Sequence, residues 1–183
     1  MVRSALFAIG GLLLGLVLHL VVILNLPAVA NTTAFGQLLA ITPTTNKTVP
    51  LVGATAGVGN PLRLDPDLSY AACRLDLRNG PGEVTGSLPV SFWSVAVYDP
   101  SGTVIYSTTN RDGIGQSLDL GVFDPAQTRL LAEQKIDVNA GLLIVESRSD
   151  DVVVVVRLAP SQPAEQPRYT QQLGKLNCRN IKL

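Results

Sequence analysis

Apolar positions follow two regimes along this chain. From Ala5 to Leu24 they are nearly continuous, and His19 is the one strongly polar residue. From Tyr70 onward they alternate with polar positions, the period of a strand with one buried face. The first regime predicts a helix crossing a membrane, because about 20 apolar residues span the hydrocarbon core and a secretory h-region is shorter, about 7–15. Ala28-Val29-Ala30 pulls the other way, since small residues at that spacing suit a signal peptidase. Length favours an uncleaved anchor, with Pro27 expected to end the helix. Arg3 is the only charge before the run, and no charge follows until Lys47. The positive-inside rule then keeps the N-terminus cytoplasmic and exports the rest.

After the anchor, "NTTAFGQLLAI" (residues 31–41) predicts a short helix at the membrane surface, capped by Asn31 or Thr32, with Phe35, Leu38 and Leu39 toward lipid. "TPTTNKTVPLVGATAGVGN" (residues 42–60) reads as a Thr/Pro/Gly-rich linker. The division is therefore an anchor over 1–30, a juxtamembrane helix and linker over 31–60, and an exported domain over 61–183.

Within that domain, "YAACRLDLRNG" alternates cleanly and predicts a first strand. A short strand follows around Glu83–Leu88. "SFWSVAVYDPSGTVIYS" is a hairpin: Trp93, Val95 and Val97 share one face, and Phe92, Ser94, Ala96 and Tyr98 the other. Asp99-Pro100-Ser101-Gly102 has the residues of a type I turn. "SLDLGVF" is another strand. Asp124-Pro125 marks a helix start leading into Ala126–Gln134. "IDVNAG" and "LLIVESRSDDVVVVVRLAP" supply further strands. Val152–Val156 is apolar on both faces, which places it centrally. Tyr169–Leu176 is a short helix or a strapped tail. Seven or eight short strands with turns between them make an antiparallel β-sandwich or jelly-roll, mainly β, with one or two short helices behind a single transmembrane helix.

Charge narrows the function. Lys+Arg and Asp+Glu stand at 14 each, so no basic field points to nucleic acid. The single His lies in the apolar run. The exported domain therefore has no Ser-His-Asp or Cys-His set and no His-based metal site. The carboxylates have structural explanations: Asp99 and Asp124 precede Pro in turns or caps, and Asp112 precedes Gly in a loop. Asp65-Pro66-Asp67 has calcium-loop spacing but lacks the Gly and closing Glu such loops need. No enzyme, metal or cofactor is implied.

Cys73 and Cys178 are the only cysteines. In an oxidising compartment an even count is expected to pair. The bridge would close a loop of about 105 residues, worth roughly 4 kcal/mol as an upper figure. In the anchor, Gly11-x-x-x-Gly15 with His19 lies on one helical face, the small-residue pattern of close helix packing. It fits a homodimer or a partner membrane helix, and equally a common membrane-helix composition.

"DPDLSYAACRLDLRNGPGEV", "FWSVAVYD", the Asn110-Arg111 pair and the C-terminal Cys178-Arg179 resemble a bacterial family carrying domain of unknown function 1254, or its neighbour 1214. The most specific element is Trp93-Ser94 with Tyr98-Asp99. The resemblance covers most of the chain and implies an N-terminal membrane segment and one exported β-sandwich or jelly-roll domain, with no settled activity. It also places Asn110-Arg111 beside the aromatic hairpin.

Trp93, Tyr98, Asn110 and Arg111 are thus the candidate ligand-binding residues, for a glycan or a small molecule. The alternative use of Trp93 is as the core anchor of the sandwich. The leading function is a structural or protein-interaction module in the periplasm, held by one span in a bacterial inner membrane. The second is an envelope ligand-binding or enzyme-associated domain.

Overall fold

The computed structural model describes residues 2–29, 34–51, 59–111, 116–134 and 141–182. Two compact units divide the chain, 1–33 and 34–183. The first is a helix, α1 (Val2–Val29), whose stretch Val2–Leu26 has a mean hydropathy of 2.7 and is wholly exposed. It is long and apolar enough to cross a membrane. The helix runs through Pro27 rather than ending there. Ala30 of the peptidase motif, the Asn31–Thr32 cap and Asp112 of the loop between β5 and β6 lie outside the described residues, as does "IDVNAG" apart from Gly141.

The second unit is a β-sandwich. Its strands are β1 (Thr48–Leu51), β2 (Ser69–Asp76), β3 (Gly82–Ser87), β4 (Phe92–Tyr98), β5 (Val104–Thr109), β6 (Ser117–Phe123), β7 (Leu143–Glu146), β8 (Asp151–Ala159) and β9 (Asn177–Asn180). Three helices accompany them, α2 (Ala34–Ile41), α3 (Pro125–Gln134) and α4 (Gln166–Leu173). One sheet has the order β1-β2-β8-β4-β5, the other β7-β6-β3-β9. Pairing is antiparallel except between β6 and β7, which run parallel.

Alternation decides the core. Ala71, Cys73 and Leu75 of β2, Trp93, Val95 and Val97 of β4, and Val152, Val154 and Val156 of β8 meet Val84, Leu118, Leu120 and Val122 of the opposing sheet. Removing such side chains from water supplies about 25 cal/mol per Å² of apolar surface. β8 is central, as its unbroken valines require: its even positions enter the sandwich core, and Val153 and Val155 enter a second cluster on the outer face.

That outer cluster corrects the reading of residues 31–60. Phe35 and Leu38 of α2 do not face lipid. They are buried with Tyr70, Ala72, Val153 and Val155 on the five-stranded sheet. The stretch read as linker contributes an edge strand, β1, paired along β2 from Thr48↔Cys73 to Leu51↔Tyr70. Pro50 is admitted because an edge strand has one row of N–H groups with no ladder partner. Both α2 and β1 belong to the compact unit.

The turns match their chemistry. Asp99 Oδ1 accepts from the N–H of Ser101 and of Thr103, each at 2.9 Å, and Gly102 takes φ +82°. The register shifts at Val97/Tyr98, a type I turn closed by a glycine bulge. Asp124 caps α3 by accepting from the N–H of Ala126 and Gln127, while Gln127 Oε1 accepts from Asp124 N–H at 2.9 Å. That reciprocal pair is a capping box.

Cys73 and Cys178 are joined, with Cα atoms 6.1 Å apart. The bridge ties β2 of one sheet to β9 of the other.

Candidate functional site

The four candidate ligand residues do not form one site. β4 turns Trp93 inward and Tyr98 outward, because they differ by an odd number of positions on a pleated strand. Trp93 is 1% exposed, between core neighbours that include Leu158 opposite it on β8. It is a core residue whose edge borders a concavity of about 250 Å³ lined also by Val90, Ser91 and Asn110. Asn110 donates from Nδ2 to the Ser91 carbonyl at 3.1 Å, and its Oδ1 is buried without a partner among the described residues. Arg111 is exposed and lines neither this concavity nor the one that Tyr98 reaches.

Tyr98 instead lines a cavity of about 210 Å³ on the outer face of the five-stranded sheet. Its apolar wall is Leu38 of α2, Leu51 of β1, Val155 of β8, and Leu62 and Leu64 of the loop before β2. Its polar lining is Tyr70, Tyr98, Arg63 and Arg157, with no carboxylate among the lining residues.

The cavity follows from local sequence. Tyr70, Arg157 and Ser94 are cross-strand neighbours, so Arg157 lies in the same outward row as Val153 and Val155. Its Nε is buried and has no hydrogen-bond partner among the described residues. Burying such a donor unpaired costs about 1–3 kcal/mol. The Tyr70 hydroxyl accepts from Asp65 N–H at 3.1 Å, which leaves its proton to donate elsewhere. Arg63 stands at φ +50°, a conformation that an L-residue with a long side chain adopts at a cost of about 1–2 kcal/mol. Asn60 holds it there. Its side chain donates to the Leu64 carbonyl and accepts from Leu64 N–H, both at 2.8 Å, and Arg63 N–H donates to the Asn60 carbonyl at 3.1 Å.

Arg63, Tyr70 and Arg157 were not singled out from the sequence. A signal was present: Arg157 follows Val153 and Val155 in the outward row of the most apolar strand. The carboxylates behave as local structure. Asp99 is held below the usual carboxylate range by the Ser101 hydroxyl and by backbone N–H groups. The Asp65-Pro66-Asp67 turn is closed by Asp67 N–H donating to Asp65 Oδ1 at 2.9 Å. Among the described residues no group of three His, Cys, Asp or Glu side chains gathers to hold a metal ion.

A family model described as "Protein of unknown function (DUF1254)" matches residues 45–179. The chain belongs to the DUF1254 family. The match begins just before β1 and ends within β9, so it takes in both walls of the sandwich and the Tyr98 cavity except its α2 side. A comparison with curated proteins finds no match. Among solved structures, the crystal structure of the VPA0106 protein from Vibrio parahaemolyticus is similar at a TM-score of 0.55 and 12% identity. The alignment covers 81% of this chain and 34% of that one. An uncharacterised protein from Burkholderia cenocepacia aligns at a TM-score of 0.48 and 15% identity, over 81% of this chain and 38% of that one. This DUF1254 chain thus spans little more than a third of either solved structure, and the Vibrio likeness supports the fold alone.

Proposed function

We propose that this DUF1254 protein is a single-pass protein of a bacterial inner membrane whose sandwich stands in the periplasm as a structural or protein-interaction module. The carrying observation is the Cys73–Cys178 bridge behind an exposed apolar helix. Disulfides persist in oxidising compartments, and Arg3 ahead of the helix orients the rest outward. On this reading the Gly11/Gly15/His19 face packs against a second copy or a partner helix, since small residues let backbones approach. The module works by binding. Its domain has no histidine for a nucleophile-base pair, and Asp99, Asp124, Asp76, Asp151 and Glu83 serve a turn, a cap and ion pairs.

The test is the intact mass of the membrane-extracted protein, before and after reduction and alkylation, with protease digestion of spheroplasts. The expected result is a full-length mass, two thiols alkylated only after reduction, and a sandwich cut from the periplasmic side. A mass beginning at Asn31 overturns the anchor and the Gly11/Gly15 packing together.

A second reading, a ligand-binding domain, has its own observation in the Tyr98 cavity. It uses Tyr98 from the hairpin, with Arg63 and Arg157 in place of Arg111.

A further inference from the structure

We infer that the outer-face cavity is a binding site for a small amphiphilic carboxylate, with the head on Arg157 and Arg63 and the apolar body along Leu38, Leu62 and Leu64. This rests on the ligand-binding reading and names the ligand that the reading leaves open.

Charge complementarity selects an anion. Two arginines line the cavity without a lining carboxylate, and neither makes an ion pair among the described residues. The other arginine of this sheet behaves differently. Arg74, on the same outer face, is spent on Asp151 through two hydrogen bonds of 3.0 and 2.7 Å. Arg157 has a buried Nε–H with no acceptor among the described residues. A planar guanidinium presents Nε–H and a neighbouring N–H as a fork that matches the two oxygens of a carboxylate. The Tyr70 hydroxyl, already an acceptor from Asp65 N–H, supplies a further donor.

The remaining wall selects the body. Leu38, Leu62 and Leu64 are aliphatic, and α2 and the 60–68 loop hold them over the sheet. A volume of about 210 Å³ falls below the ~300 Å³ where drug-sized sites begin, so the ligand is small, on the order of ten heavy atoms. Arg63 completes the site at a strained backbone position. A glycine there would remove the strain, and a loop serving only as a cover would have no use for the charge.

Octanoate has this composition and is the probe. The full-length protein in lipid nanodiscs, labelled with ¹⁵N-arginine, is titrated with octanoate, octanol and octylammonium against empty nanodiscs. The expected result is a saturable shift of Arg Nε–H resonances by octanoate, with octanol and octylammonium weaker by about tenfold or more. Arg157→Gln weakens octanoate by about tenfold, and Arg63→Gly does so with the unfolding midpoint unchanged or raised. Octanol binding as well as octanoate overturns the proposal. So does octanoate binding that Arg157→Gln, folded by circular dichroism, leaves unaltered; a ligand-binding domain then survives while this site does not. If Arg157→Gln fails to fold, Arg63→Gly on the surface loop decides. An unchanged affinity in that variant overturns the site.

Discussion

Asp119 is a carboxyl that the fold leaves poorly partnered. It stands on β6 opposite Thr85, with Oδ1 buried and unpaired among the described residues. Burial pushes its carboxyl above the ordinary value, and the nearby negative charge of Glu83 adds to the effect. Glu83 is itself held by Arg179 at 2.7 Å. A carboxyl whose pKa rises on folding stabilises the fold while protonated, and that contribution is lost as pH climbs through the raised folded value. Asp119→Asn should therefore stabilise at pH 7 by about 1 kcal/mol and bring nothing at pH 3, where both states of Asp119 are protonated. Thermal unfolding at the two pH values reads the difference, and an equal gain at both would rule out titration as its cause. Asp99 has the opposite sign. The Ser101 hydroxyl lowers its pKa first, then the turn N–H groups. Its stabilisation is present above the usual carboxylate range and fades as pH falls through its lower folded value. Asp99→Ala should cost about 1 kcal/mol at pH 7 and progressively less below pH 4 in the same experiment.

At the scale of elements, α2 shows what a pattern of apolar positions can and cannot carry. Phe35 and Leu38 fall on one helical face, which was legible. The surface that face meets was not, because a sheet and a bilayer ask for the same residues. Phe35 is 4% exposed against the sheet, so Phe35→Ala should cost about 3 kcal/mol in chemical denaturation of the full chain in detergent. A cost near zero would return α2 to the membrane surface. The hairpin, the start of α3 and the central place of β8 were readable because each depends on neighbours in sequence: Asp99 with Gly102, Asp124 with Pro125, five consecutive valines. β1 was not, since Thr and Pro are as frequent in linkers as on edge strands, and only pairing with β2 separates the two. The parallel β6–β7 pair depends on a crossover that no local signal records. The candidate site divides the same way. The sequence put Trp93 and Tyr98 on opposite faces of β4, and this parity is what separates them. It had no means of bringing Arg63 of a loop beside Arg157 of β8. Gly80 marks another such meeting. It takes φ +115° at the end of the short 3₁₀ turn Leu77–Asn79, and a β-carbon there would run into the backbone carbonyl of Ile181. Gly80→Ala should cost about 2–4 kcal/mol, more than propensity alone explains, and denaturation midpoints would show it.

Across the whole molecule, one covalent link and one edge hold the two sheets' ends in register. Cys73 lies next to the edge of its sheet, Cys178 on the edge strand β9 of the other, and the chain between them, 105 positions apart, contains nearly all of the sandwich. β9 is four residues long, and four register pairs hold it to β3. Thr48 Oγ1 donates to the Leu176 carbonyl at 2.8 Å just before it. Without the bridge, a strand that short is retained by those bonds and by burial of Leu173 and Leu176. Two consequences separate. In the chain-entropy picture the bridge limits the unfolded ensemble, and Cys73→Ser with Cys178→Ser lowers global stability by about 4 kcal/mol. In the native state the same double variant frees β9 to open locally, since short edge elements sit at the low end of the stability range. Native-state hydrogen exchange on the full-length protein distinguishes them. We expect amides of β3 facing β9, those of Glu83 and Thr85, to lose protection by more than the global decrease, while β8 loses only the global amount. A uniform loss would mean that the bridge acts on the unfolded chain alone and that β9 is held by its burial. A loss confined to β3 and β9 would mean that it is a local clasp, and that the two sheets keep their packing through Leu75, Trp93 and Leu120 without it.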